Sequence, residues 1–279
     1  MKSALIAFAI FLTTGLCAQK SKNAFELPKQ KTIVSKAEMV QNLDMGMGMM
    51  MNTTTNNTTE YVVIAQNGDE YTITRKMVAA KVNMDMMGQS QKYDSDMKED
   101  ADSEIGKELG KKLNVIDTLS YNPKTGKTVL LTKAEADTAQ ENPMASMFKS
   151  IGSTSDEESL ENIFLPLDPK LKEGNNWVDS GSTAEMSYVK TYTLQSKSSN
   201  SNKVALHIET KNMTEVEAQG MPLNITLNTK TDATVDTDGG SSLIRTKKGN
   251  SNIDGSMEIM GQSMPISGTV SVTITNEVK

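Results

Sequence analysis

The sequence has few of the side chains that enzymes most often use for catalysis. Its 279 residues include a single cysteine, Cys17, and a single histidine, His207. His207 falls on the polar side of a strand predicted over Val204–Thr210, beside Ala205 and Glu209, where solvated residues are usual. With no second histidine and no cysteine partner, neither a Cys-His pair nor a two-histidine metal site can form within one chain. We therefore expect a non-enzymatic protein without a metal or other cofactor.

Aromatic residues are scarce, and positive charge is in deficit. Phe, Trp and Tyr make up 4% of the chain, which is low for a cleft that stacks on sugars. The formal net charge of −6 argues against binding to nucleic acid or to anionic membrane surfaces. Beyond the N-terminus, no segment has the ~18 apolar residues of a transmembrane helix.

The N-terminus predicts export. Lys2 is followed by the apolar run Ala4–Leu12 and then by a short stretch of smaller residues. This pattern is typical of a signal peptide, here residues 1–18, that is removed on secretion. Leu16 stands where lipoprotein processing requires Gly or Ala, so we expect no acylation of Cys17. The mature chain is then secreted or periplasmic and has no disulfide.

Methionine, in contrast, is abundant, with 20 residues. The densest groups are Met45–Met51, Met84–Met87 and Met257–Met260. An unbranched thioether fills irregular apolar cores, and it also ligates soft metals such as Cu(I). Core filling is favoured, because the methionines follow the hydrophobic alternation and no histidine or cysteine accompanies them. Two alternatives remain: a Cu(I) site formed by thioethers on one face of a strand over 45–51, and a flexible surface that accepts an apolar ligand.

Alternating apolar and polar residues dominate the rest of the chain, which is the signature of half-buried β-strands. The alternation is clearest in four segments, Val78–Met86, Val204–Ile208, Leu223–Val235 and Ile266–Val278. Turn sequences punctuate the chain at Asn67-Gly68, 124–126, 238–240 and 254–255. Short turns of this kind predict antiparallel meanders. The expected fold is mainly β, with about ten strands in half-barrel or sandwich-like sheets.

Two regions predict helices instead. One lies near 100–113, where Ile105, Leu109 and Leu113 recur at helical spacing. The other is an insert over 134–164 with a plausible hinge at Gly152. Its apolar stripe consists of Met144, Met147, Phe148 and Ile151.

The proline-containing stretch at 165–168 predicts a boundary between an N-terminal half, 19–164, and a C-terminal antiparallel β half, 165–279. Several short motifs lie on both sides of it: Gly88–Ser95, Leu165-Pro166, Gly174-Asn-Asn-Trp177, Tyr192-x-Leu194 and Asp238-Gly-Gly. These motifs resemble an uncharacterised family of secreted, β-rich bacterial envelope proteins, and the likeness covers most of the mature chain. The resemblance implies an envelope location and a β-rich fold, and the family has no known activity.

Together these features favour a protein that binds an apolar or lipid-like ligand in a Met-lined concavity of a sheet. The residues expected to line it, with the helical insert as a flap, are Met84, Met86, Met144, Met147, Phe148 and Ile151. The alternative is a structural or interaction scaffold that contacts other envelope proteins and binds no small molecule. An open apolar cavity would favour the first hypothesis, and a filled interior would favour the second.

Overall fold

A computed structural model describes residues 29–46, 48–86, 88–132, 158–218, 221–259 and 261–279. The predicted signal peptide, with Cys17, lies outside these ranges. The described residues form twelve strands: β1 Thr32–Asp44, β2 Met50–Asn67, β3 Glu70–Met86, β4 Gln89–Asp94, β5 Ile116–Asn122, β6 Lys127–Thr132, β7 Asn176–Ser182, β8 Met186–Lys197, β9 Ser201–Ala218, β10 Met221–Asp238, β11 Ile244–Ile259 and β12 Gln262–Val278. A 3-10 helix at Lys98–Asp102 precedes helix α1, Glu104–Gly110, and helix α2 is Glu158–Glu161.

These strands belong to one antiparallel sheet. Their order is β6-β5-β3-β2-β1-β12-β11-β10-β9-β8-β7, and β4 pairs with the second half of β3. Two meanders therefore meet at the pair β1–β12, in register from Ile33–Val278 to Asp44–Ser267. The predicted fold, mainly β with antiparallel meanders, is confirmed. The strands form one unclosed sheet rather than a sandwich. The division into two halves at residue 165 stays a prediction, and strands from both sides of it share this sheet.

Alternating side chains divide the sheet into an inner and an outer face. The inner face carries the deeply buried residues, such as Ile33 and Leu43 on β1, Ile73 on β3, Leu194 on β8 and Val204 on β9. These side chains belong to three hydrophobic clusters. In a single layer of strands, side chains become this deeply buried where the sheet twists and curves around them. The inner face is therefore concave.

Two glycines on the inner face show how closely the strands approach one another there. A Cβ atom at Gly255 would lie 2.1 Å from the carbonyl oxygen of Thr226. One at Gly268 would lie 2.3 Å from the carbonyl oxygen of Asn42 and 2.6 Å from the Leu43 side chain. Both distances are far below van der Waals contact, so glycine is required at both positions. Gly268 pairs with Leu43 at the β1–β12 seam, where it lets the two meanders close tightly.

Helix α2 and the residues after it pack into one end of the concave face. Leu160, Ile163 and Phe164 are almost completely buried. Phe164 stacks on Tyr121 of β5, with ring centroids 5.6 Å apart. The predicted helical insert is therefore present at its C-terminal end, where it is part of the core. The remainder of the insert, with Met144, Met147, Phe148 and Ile151, lies outside the described residues.

The other predicted helix is shorter than expected. The 3-10 helix and α1 together span most of 100–113, and Ser103 separates them. The Ser103 hydroxyl accepts a 2.9 Å hydrogen bond from the amide of Gly106, which is a helix N-cap. Ile105 of α1 packs against the methionine-rich cluster of the inner face.

The strand expected over 45–51 is wrong. β1 ends at Asp44 and β2 begins at Met50, and between them the amide of Met49 donates to the carbonyl of Gly46. Gly46 and Gly48 have φ angles of 75° and 79°, in the left-handed region that turns need. The Met-Gly alternation therefore makes a turn, because its glycines take up positive φ angles.

The turn expected at 254–255 is also wrong, because β11 continues through it as Ile244–Ile259. Gly255 there permits the close strand contact described above.

The expected alternation of apolar and polar residues in β3 holds only in part. A register shift lies between the pairs Thr58–Ala79 and Thr59–Met77, so Val78 is the extra residue of a bulge. The inward set therefore begins at Ala80, not at Val78.

Candidate functional site

Between its buried clusters, the inner face carries apolar side chains that are only half-buried. They come from five strands of both meanders, and we call them the inner band: Met39, Val82, Trp177, Ile208, Val270 and Val272. Met39 pairs with Val272 across the β1–β12 seam at the centre of the sheet, and the band extends from there to Val82 on β3 and to Trp177 on the edge strand β7. A concave, partly open apolar surface is the usual setting for an apolar ligand.

Two hydroxyl groups lie beside residues of the inner band. Thr231 is the cross-strand partner of Ile208, and Ser251 is the partner of Val270. The two hydroxyl oxygens lie 2.7 Å apart and hydrogen-bond each other. They therefore add little polarity to the inner band.

The methionine-rich end of the inner face is a packed core. Met45, Met51, Met84 and Met257 are buried in one cluster, which confirms core filling for these residues. Met86 is only partly buried against the cluster. Of the residues expected to line a ligand site, Met86 is thus accessible without rearrangement, whereas Met84 becomes accessible only if the packing opens. The lining roles of all six residues stay predictions.

A polar pair lies where the inner band meets the methionine cluster, against which Val270 of the band packs. Gln41 on β1 and Thr53 on β2 are cross-strand partners and are 3% and 9% exposed. Gln41 Nε2 and Thr53 Oγ1 have no hydrogen-bond partner among the described residues. Sequence reasoning missed both residues. Gln41 could have been noticed, because it is a polar residue at an inward position between Met39 and Leu43. Thr53 could not, because it lies in a run of threonines where no residue stands out.

Aromatic side chains form the wall of the inner face at β7 and β8. Trp177 stacks on Tyr192 with ring centroids 5.0 Å apart and an interplanar angle of 3°. Burial raises the pKa of Tyr192, which therefore stays neutral. Lys190 lies 4.6 Å from the centroid of the Tyr188 ring, and its Nζ donates at 2.5 Å to the carboxylate of Glu161 on α2. The charge of Lys190 is therefore balanced, and the wall is effectively aromatic.

The outer face has a different concavity, an open groove of 580 Å³ across β8–β12. Its lining combines the charged residues Asp232 and Lys248 and apolar residues such as Leu206 with hydroxyl and amide side chains: Thr191, Thr193, Thr234, Asn250, Ser271 and Thr273. His207 lies in this groove, and its Nδ1 is 2.7 Å from Asp232 Oδ1. Its Nε2 lies 3.7 Å from Glu209 Oε1, so the imidazole is engaged by carboxylates. Among the described residues, no group of three or more His, Cys, Asp or Glu is arranged to hold a metal ion.

The pKa of His207 provides a test of this outer-face geometry. The hydrogen bond to Asp232 raises the pKa above the ordinary value of 6.5, and Glu209 contributes in the same direction. Because the folded-state pKa is the higher one, this contribution to stability is present below the unfolded pKa. It is lost as the pH rises through the folded pKa.

We expect NMR titration of this single imidazole to give a pKa above about 6.5 that falls in Asp232→Asn. The stability difference between wild type and Asp232→Asn should be largest in acid and vanish at alkaline pH. An unchanged pKa in the variant would show that the His207–Asp232 contact is absent in solution.

No known family profile and no curated protein sequence matches the chain. Among solved structures, it is similar to a chain of lipovitellin, from a structure that concerns lipid–protein interactions in that protein. The TM-score is 0.50 at 11% sequence identity, over 91% of this chain and 26% of the lipovitellin chain. This chain thus spans about a quarter of the lipovitellin chain, and the likeness shows the fold alone.

Two further similarities are weaker. An outer-membrane channel from Pseudomonas putida F1 matches with a TM-score of 0.28 at 8% identity, over 92% of this chain and 98% of the channel. OpdQ from Pseudomonas aeruginosa matches with a TM-score of 0.25 at 5% identity, over 89% of this chain and 98% of OpdQ. In the part of the chain that the structure describes, no helix has the length and apolar character needed to cross a membrane.

Proposed function

We propose that this protein binds an apolar, lipid-like ligand on the concave face of its sheet and acts in the bacterial envelope without catalysing a reaction. The inner band carries the proposal: its half-buried apolar side chains line the concave face of both meanders, and Met39, Val270 and Val272 are neighbours at the β1–β12 seam. A ligand that removed ~200 Å² of this apolar surface from water would gain about 5 kcal/mol, at ~25 cal/mol per Å². The ligand chain removes a similar apolar area of its own from water, and this total gain must exceed the entropic cost of association.

Two further observations support the proposal. The fold is similar to that of lipovitellin, whose structure was described in terms of lipid–protein interactions. The N-terminal export signal and the resemblance to secreted envelope proteins favour a secreted or periplasmic location, where lipids and other envelope proteins are available as partners. No charged side chain belongs to the inner band, so an uncharged chain can cover it without burying an unpaired charge.

Photolabelling with an alkyl diazirine tests the proposal. We expect labels at inner-band residues, above all Met39 and Val270, because these side chains are half-buried on the face that holds the ligand and neither lines the outer groove. Excess unlabelled methyl dodecanoate should remove this labelling. The modified residues can be located by tandem mass spectrometry of peptides from the intact, purified protein.

Val178 and Val189 are the matched controls. Both side chains are apolar and lie on the outer face, and they are 62% and 45% exposed. If labelling followed exposure alone, these two valines would be modified more than the inner band and competition would have no effect. That result would contradict a ligand site and favour the envelope scaffold.

A further inference from the structure

Gln41 Nε2 and Thr53 Oγ1 are two of six buried side-chain polar atoms that have no hydrogen-bond partner among the described residues, and these two belong to cross-strand partners. Buried polar groups are almost always hydrogen-bonded, because an unpaired donor loses its bonds to water and gains nothing in return. Asn276, a buried amide on the same face, shows how such a donor is normally satisfied. Its Nδ2 donates to the carbonyls of Asn162 at 2.9 Å and Ile244 at 2.8 Å. Gln41 Nε2 and Thr53 Oγ1, in contrast, have no partner in the described part of the chain.

The position of the pair connects it to the proposed ligand site. Gln41 lies between Met39 of the inner band and Leu43 of the methionine cluster along β1. Its partner across the seam is Val270, another residue of the band. Thr53 is flanked in the same way by Met84 across the β2–β3 pair. A ligand chain that covered the inner band would therefore bring its end close to these two polar groups.

The chemistry of the pair selects the kind of group that it can bind. An amide Nε2 offers two N–H donors, and a threonine hydroxyl offers a third, so the pair suits an oxygen acceptor. Its neighbours Val270 and Met84 are uncharged. Lys190, a buried cation of this face, is already paired with Glu161. An ionised carboxylate would consequently be buried without a counter-charge, which is far more costly than burying a neutral carbonyl.

We infer that Gln41 and Thr53 bind the carbonyl oxygen of an uncharged acyl ester whose hydrocarbon chain lies on the inner band. This inference rests on the proposed function and specifies its ligand class. The amide and hydroxyl donors belong to cross-strand partners that are 3% and 9% exposed, so the ester carbonyl reaches them only when the packing around them opens, as for Met84. It then accepts a hydrogen bond without introducing charge. The pair thus determines which apolar molecules the site prefers.

Two ligands of equal length test the inference: methyl dodecanoate and dodecyl methyl ether, which has a methylene group in place of the carbonyl. Each is titrated against the full-length mature protein by displacement of the uncharged fluorescent probe N-phenylnaphthylamine. We expect the ester to bind about tenfold more tightly than the ether, a typical value for one buried hydrogen bond. Dodecanoate at about pH 8, where it is ionised, should bind more weakly than the ester.

The double variant Gln41→Met/Thr53→Val should bind the ester and the ether equally, with the affinity of the wild type for the ether. Methionine and valine match the replaced side chains in size, so we expect thermal stability to be equal or higher. The matched control is Asn42→Met/Asn52→Val. Asn42 and Asn52 form the neighbouring cross-strand pair, on the exposed outer face, and this variant should keep the full preference for the ester.

Equal binding of ester and ether by the wild type would overturn this inference and leave the proposed function intact. The inference also fails if the ester preference persists in the double variant, or if dodecanoate binds best. If neither uncharged ligand displaces the probe, the proposed function itself fails. The experiment therefore separates the two claims.

Discussion

Phe164→Ala is expected to lower the free energy of unfolding by about 3–5 kcal/mol, the range for deleting a large buried aromatic side chain. The Phe164 side chain is almost completely buried between the concave sheet and the end of α2, and its ring stacks on Tyr121. Removing it leaves a cavity that its neighbours cannot fill, because Leu160 and Ile163 are already held in the same cluster. Equilibrium unfolding in urea, followed by the fluorescence of the single tryptophan, measures the loss.

Val178→Ala is the control for this prediction. Val178 is an apolar residue on the edge strand β7 and is 62% exposed, so its truncation should change stability by no more than about 0.5 kcal/mol. A loss of less than about 1 kcal/mol in Phe164→Ala would contradict the structure, because a core residue cannot be so easily removed. Residues 158–164 would then be a detachable part of the predicted flap rather than core.

The predictable part of the fold depends on local sequence. Period-two alternation identified the inward faces of Val204–Ile208 and Ile266–Ile274, because one face of a strand must be buried. Asn67-Gly68 identified the β2–β3 hairpin, since Gly68 takes a φ of 61° that most residues avoid. Both signals depend on a few neighbouring residues, so the strands and the turn that they predict do not depend on contacts with distant parts of the chain.

The part that could not be predicted depends on distant contacts. The pairing of β1 with β12 joins residues more than two hundred positions apart, and no local pattern specifies it. The methionines at 45–51 alternate as in a strand, yet Gly46 and Gly48 turn the chain there. At 254–255 the reverse occurs, because the need for close strand packing at Gly255 outweighs the turn propensity of Asp-Gly.

The same limit applies to the candidate site. The sequence predicted that Val82, Ile208, Val270 and Val272 point inward, and the structure agrees. It could not predict that they are half-buried while Leu43 and Ile266 are fully buried, because that difference arises from the curvature of the whole sheet. The methionines drew attention to the more tightly packed end of the inner face. They fill its core, and the more open apolar surface lies beside them.

The most direct test of the ligand hypothesis compares Met39→Glu with Val40→Glu by titration with N-phenylnaphthylamine. Both residues are apolar, half-buried and adjacent on β1, and they point to opposite faces of the sheet. A carboxylate at position 39 must lose its hydration when a ligand covers the inner band, so we expect Met39→Glu to weaken probe binding by about tenfold or more. Val40→Glu should leave the affinity within about twofold of wild type. Equal affinities in the two variants, or a larger loss in Val40→Glu, would contradict a ligand site on the concave face.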